Sequence, residues 1–151
     1  MRVYLNTSAL NRPFDDLSVA RVRFEAEAVR LLIAALEAGE AELVSSEYLT
    51  FEVGQTPDAD RVHRVTTILR LASRVVGMSP SLLLRARALA TFGLRGLDAL
   101  HIASAEAGGA QMLVTTDDRM LRRAERARGE IRLDVLTPVQ ALARLSTERE
   151  T

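Results

Sequence analysis

Short β-rich runs alternate with longer stretches of helical spacing along this chain, and that alternation leaves few folds open. Strand, helix, strand order calls for parallel strands joined by crossover helices. Right-handed crossovers then place helices on both faces of one sheet. The pattern predicts strands at residues 2–6, 41–44, 74–78, 111–115 and 131–135. Helical spacing runs over 18–38, where Val22, Ala26, Val29, Leu32, Ile33 and Leu36 share one face, and Gly39 suits the position just past its end. Ser45 or Ser46 caps a helix carrying Glu47, Leu49, Glu52 and Val53, and Thr56-Pro57-Asp58 breaks it. Further helices are expected at 58–71, from Ser79-Pro80 to Ala90, at 98–107, from Asp117 or Asp118 to Arg128, and at 138–145. Asn11 to Asp16 is expected as a loop. The expectation is therefore an α/β chain of three layers, α/β/α, around a five-stranded parallel sheet. At 151 residues one domain over 1–145 is expected, with 146–151 a frayed tail.

Composition removes several classes of function. There is no cysteine, so disulfides, Cys-ligated zinc and a thiol nucleophile are out. The 20 basic residues, all arginine, balance 20 acidic ones, which argues against a general basic clamp for nucleic acid but not against a local basic groove. No apolar run approaches the roughly 18 residues that span a bilayer, and Arg2-Val3-Tyr4-Leu5 reads as a strand instead of a leader, so a cytoplasmic protein is expected.

Ligands of parallel α/β sheets bind outside the carboxyl ends of the strands. Two strands here end in polar residues, Asn6-Thr7-Ser8 and Thr115-Thr116-Asp117-Asp118, and Glu52 and Asp98 follow loops at the same edge. Carboxylates gathered there suit a hard divalent cation and metal-assisted phosphodiester hydrolysis. The alternative use of Asp98 and Asp117 is helix capping, and that of Glu52 is a solvated helix face. His101, one turn after Asp98, is placed either to hydrogen-bond that carboxylate or simply to fill a half-buried helix face. Gly-x-Gly-x-x-Gly, the P-loop pattern and Gly-x-Ser-x-Gly are all missing, which disfavours dinucleotide, nucleotide and serine-hydrolase chemistry. With four Phe, two Tyr and no Trp, an aromatic platform for bases is not expected.

Taken in order, four segments resemble a known family. Met1 to Leu10, with Asn6-Thr7-Ser8, looks like the opening of a PIN domain, the fold of VapC-type toxin ribonucleases. Ser45-Ser46 with Glu52 resembles its second acidic motif, Gly96-Leu97-Asp98-Ala99-Leu100-His101 its third, and Leu113-Val114-Thr115-Thr116-Asp117-Asp118 its fourth. Asn11-Arg12-Pro13-Phe14-Asp15-Asp16 looks like a feature of one PIN subgroup. The resemblance implies a PIN-like domain with strand order 3-2-1-4-5 and its acids at the carboxyl edge. It also implies Mg²⁺ or Mn²⁺ held for RNA cleavage, a homodimer, and a small antitoxin partner. Asn6, Glu52, Asp98 and Asp117 are then the catalytic and metal-binding positions, and Ser8 and Thr115 supporting hydroxyls. Arg12, Arg95 and Arg119 are candidates for holding the RNA backbone.

One position departs from the family. Asn6 stands where the family has Asp; an amide oxygen can meet a cation, but the charge is gone and the NH₂ only donates. One unit charge beside a dication is worth several kcal/mol at an effective dielectric near 20, so even a fraction of that costs about ten- to a thousandfold. The expected activity is therefore that of a weakened or silent ribonuclease, either by a substitution made to disarm it or by natural loss. The rival readings are a non-catalytic RNA- or protein-binding module and a purely structural α/β domain.

Overall fold

A computed structural model describes residues 1–150. Five strands, β1 (Arg2–Leu5), β2 (Glu42–Ser46), β3 (Ala72–Val76), β4 (Met112–Val114) and β5 (Asp134–Leu136), form one sheet in the order β3-β2-β1-β4-β5. Every pairing is parallel, with Val3 opposite both Leu43 and Met112. Eight helices flank it among the described residues: α1 (Thr7–Asn11), α2 (Ala20–Glu37), α3 (Glu47–Gly54), α4 (Ala59–Leu69), α5 (Pro80–Ala90), α6 (Gly96–Ala107), α7 (Asp118–Arg126) and α8 (Pro138–Glu150). The expected three-layer fold and strand order are both present.

The central strand explains why the sheet holds. Val3, Tyr4 and Leu5 are buried, as are Leu43 and Val44 on β2 and Met112, Leu113 and Val114 on β4. A strand covered on both faces has no polar alternation, and β1 and β4 carry none. Local signals fix several boundaries as expected. Gly39 takes φ +74, its N–H meets the Leu36 carbonyl at 3.1 Å, and Glu40 N–H returns to Ala35 at 2.9 Å, closing α2. Ser46 Oγ accepts from Leu49 N–H at 3.0 Å, and Ser79 Oγ from Leu82 N–H at 3.1 Å, with Pro80 next.

Several boundaries differ from the sequence reading. β1 ends at Leu5, one residue before the expected Asn6. Asn6 caps the short helix α1, whose Ala9 and Leu10 are buried, and Arg12–Phe14 make a 3₁₀ turn inside the expected loop. β3 begins two residues before the expected Arg74, and β5 begins at Asp134, not Ile131. Buried Leu133 supplies the strand-like pattern there, but Arg132 N–H is taken by Glu106 Oε2 at 2.8 Å, so pairing with β4 starts later. Helix α6 opens at Gly96 instead of Asp98. Helix α8 continues through 146–150, with Arg149 paired to Glu40 at 2.8 Å; Thr151 lies outside the described residues.

Candidate active site

The carboxyl ends of β1, β2 and β4 deliver their polar residues to one rim, and a cavity of about 360 Å³ opens there. Asn6, Glu52, Asp98 and Asp117 all line it, together with Ser8, Thr7, Asn11, Leu97 and His101. Residues scattered from 6 to 117 in sequence thus meet because three adjacent parallel strands end together.

Asn6 is held by a closed set of hydrogen bonds. Its Nδ2 donates to Thr115 Oγ1 at 2.9 Å and lies 3.5 Å from Met120 Sδ. Its Oδ1 accepts from Ser8 Oγ at 2.9 Å and from Ala9 N–H at 3.2 Å. Ser8 and Thr115 hydroxyls lie 3.2 Å apart, so one consistent direction runs from Asn6 to Thr115, to Ser8 and back. Backbone N–H groups of Thr116 and Asp117 add to Ser8 and Thr115, each at 3.1 Å. Both lone pairs and both N–H bonds of the amide are used. Ser8 and Thr115 therefore touch Asn6 directly.

Glu52 is the most strongly tuned carboxylate. Burial would push its carboxyl up, but hydrogen bonds from His101, Thr7 and Tyr48 outweigh that and hold it down at about 2. His101 Nε2 lies 3.1 Å from Glu52 Oε1, Tyr48 donates its hydroxyl to Oε2 at 3.1 Å, and Thr7 donates to Oε1. Behind it, Tyr4 OH meets His101 Nδ1 at 2.8 Å and Ser46 Oγ at 2.9 Å. Both ring nitrogens of His101 are thus hydrogen-bonded. So His101, buried at 3% exposure, serves Glu52 and not Asp98. Tyr4 and Thr7 were invisible as site residues because their partners lie on other elements, whereas Tyr48 stands one turn before Glu52 on α3, a spacing the sequence does show. Burial raises both phenols, Tyr48 to about 12 with the Glu52 charge adding to it.

Asp98 sits in the first turn of α6 and does not cap it, since Arg95 holds the cap position without a side-chain bond. Burial raises its carboxyl, and the Asp117 charge adds to that, against Arg123 and His101. Arg123 Nη1 approaches Asp98 Oδ2 at 3.6 Å. Asp117 does cap its helix: Oδ1 accepts from Arg119 N–H at 2.9 Å and Met120 N–H at 3.3 Å. Both cap bonds fall on one oxygen, so capping and a role at the cavity are compatible. Of the three arginines suggested by sequence, Arg12 is tied to Asp15 at 3.1 Å and Glu25 at 3.4 Å, while Arg95 and Arg119 are exposed.

Among the described residues, no three Asp, Glu or His side chains converge closely enough to hold a metal ion by themselves. The donor set does fit a cation that keeps much of its water, because Mg²⁺ is commonly bound through one or two carboxylates. Asp98 and Asp117 would be the carboxylates to hold it, and Glu52 lines the same cavity. Asn6, with no lone pair left, would not hold it.

Residues 3–126 match the family model of the PIN domain. The chain belongs to the PIN domain family. Solved structures agree on the fold. PAE2754 from Pyrobaculum aerophilum superposes with a TM-score of 0.57 at 18% identity, covering 97% of this chain and 90% of that one. VapBC2 from Rickettsia felis, solved bound to a DNA fragment from their promoter, gives 0.53 at 15% identity, covering 91% and 98%. No curated protein matches the sequence significantly. PIN domains are in general nucleases. No helix of this PIN domain, among the described residues, is long and apolar enough to cross a membrane.

Proposed function

We infer that this PIN domain is a Mg²⁺- or Mn²⁺-dependent endoribonuclease scaffold, the toxin of a toxin–antitoxin pair, with its activity weakened or silenced by Asn6. The observation that supports this most is the meeting of Asn6, Glu52, Asp98 and Asp117 on one cavity at the carboxyl edge of the sheet. A bound Mg²⁺ or Mn²⁺ would supply Lewis-acid polarisation of a phosphate and a water of lowered pKa. The chain's own part is positioning. Asp98 and Asp117 present hard oxygens, and the strain of keeping Asp98 ionised beside Asp117 is relieved by a cation. Glu52, locked by His101, Tyr48 and Thr7, stays ionised throughout the physiological range. Asn6, Ser8 and Thr115 tie the ends of β1 and β4 together at the cavity floor without adding charge. The homodimer, the antitoxin partner, the RNA substrate and a cytoplasmic location belong to the same proposal.

The full hydrogen-bond satisfaction of Asn6 also favours a second reading, a PIN fold that binds RNA or a protein without cleaving. Asn6→Asp separates the two. With Asp at position 6 the two hydroxyls can each turn to donate to the carboxylate, so the variant should fold. RNA cleavage by Asn6→Asp with Mn²⁺, abolished by EDTA and at least about tenfold faster than the parent, is the expected result. An inert variant that still binds RNA equally well in EDTA would leave the binding module.

A further inference from the structure

Most arginines of this chain are neutralised by a neighbouring carboxylate; Arg2, Arg21, Arg61, Arg64 and Arg85 are examples. Nine among the described residues make no such pair, Arg70, Arg87 and Arg132 included, and three of the nine fall together on helix α7. Arg119, Arg122, Arg123 and Arg126 follow the spacing i, i+3, i+4, i+7, which puts them within about 100° of arc on one side of the helix. The opposite side carries buried Met120 and Ala124, with buried Ala127 just beyond the last turn, so the helix is anchored and its arginine face is turned outward. Arg119, Arg122 and Arg126 are exposed, and among the described residues no carboxylate is ion-paired with any of them. Arg123, the fourth, reaches back to Asp98 at 3.6 Å. Asp117, on the cavity wall, is the residue that caps α7. The stripe therefore starts at the cavity and leads away from it.

We propose that the arginine face of α7 is a track for the backbone of single-stranded RNA, leading successive phosphates to the cavity at Asp98 and Asp117. The proposal rests on the ribonuclease reading of that cavity. Arg119 to Arg126 spans about 10 Å, enough for long guanidinium side chains to meet about two or three consecutive phosphates of one strand. Guanidinium groups match phosphate oxygens in pairs, and they carry no base information. The scarcity of aromatic side chains, with no Trp at all, fits recognition of backbone instead of bases. A chain of zero formal net charge gains such affinity only by leaving a few cations unpaired in one place.

The test is fluorescence anisotropy of a labelled single-stranded RNA in EDTA over a salt series. It compares the parent with Arg119→Gln/Arg122→Gln/Arg126→Gln and with a charge-matched control, Arg70→Gln/Arg87→Gln/Arg132→Gln. Arg123 is kept in all, so the contact to Asp98 is untouched. The stripe triple should bind at least about tenfold more weakly at low salt, its log–log salt slope reduced by about two; the control should bind like the parent. Single Gln variants should each lower the slope by about 0.7, which covers the case where the triple does not fold. Equal loss in both triples, or no RNA binding by the parent, overturns the proposal. Repeating the stripe triple in the Asn6→Asp background separates the two inferences. An inert Asn6→Asp chain with stripe-dependent binding removes the nuclease reading and keeps the track. Cleavage with unchanged KM in the stripe triple keeps the nuclease and removes the track.

Discussion

At the scale of single residues, the site is decided by which hydrogen-bonding capacity is spent and which is left over. Thr115 Oγ1 is the hub of the floor, accepting from Asn6 Nδ2 at 2.9 Å and from Asp117 N–H at 3.1 Å, and it is fully buried. Thr115→Val keeps the shape and deletes the acceptor, leaving two buried donors unmet. It should lower the unfolding free energy by about 1–3 kcal/mol in a urea titration. Asn6 itself has a comparable physical reading. An amide completes a one-way ring with two hydroxyls, where a carboxylate would accept from both and remain charged toward the cavity. In sequence the position stood out only through its resemblance to the first acidic motif of the PIN family. That its amide is already fully used was not legible there, because Ser8 and Thr115 come together only when β1 and β4 pair.

At the scale of elements, two devices aim the acids, and each has its own signature. Asp117 is both a helix cap and a cavity wall residue. Asp117→Ala should cost α7 about 0.5–2 kcal/mol, whereas Asp117→Asn, an equally good cap, should keep nearly all of the stability while removing the charge. Thermal melts of the two variants tell capping from cavity electrostatics. The second device is the close seating of α6 on the sheet. A Cβ on Gly108 would stand 2.3 Å from Val44 Cγ1, so Gly108→Ala forces helix and strand apart. A loss of about 1–3 kcal/mol by chemical denaturation is expected, together with a shift of Asp98 and His101, which α6 carries. Helix α6 shows why Asp98 is free for the cavity. Its cap position falls on Arg95, so the acid enters the first turn with its oxygens uncommitted to backbone.

At the scale of the whole molecule, the charges balance overall yet are unevenly strained, and pH reads that out. Glu52 has a folded-state pKa of about 2, below its ordinary value, so its stabilisation is complete above about pH 4.5 and is lost as pH falls toward 2. Asp98 has the opposite sign. Its carboxyl is raised by burial and by Asp117, so its ionisation on the way to neutral pH works against the fold. At pH 7, Asp98→Asn should therefore raise Tm and Glu52→Gln should lower it. Glu52→Gln should also flatten the acid limb of the stability profile. Melting curves from pH 2 to 8 check both; a lowered Tm for Asp98→Asn would show that Arg123 outweighs the strain. The sequence by itself determined the layers, the parallel sheet, the cap at Ser79 and a serine cap at 45 or 46, which the structure resolves to Ser46. These follow from periodicity and from local side-chain bonds within a few residues. It also singled out Asn6, Glu52, Asp98 and Asp117, through their order and resemblance to the PIN family, and these four do line one cavity. Only the tertiary structure decided what each of them touches: His101 on Glu52, Thr115 on Asn6, Arg123 on Asp98. Those contacts span dozens of residues and exist because parallel strands end at one rim, and no local pattern encodes that meeting.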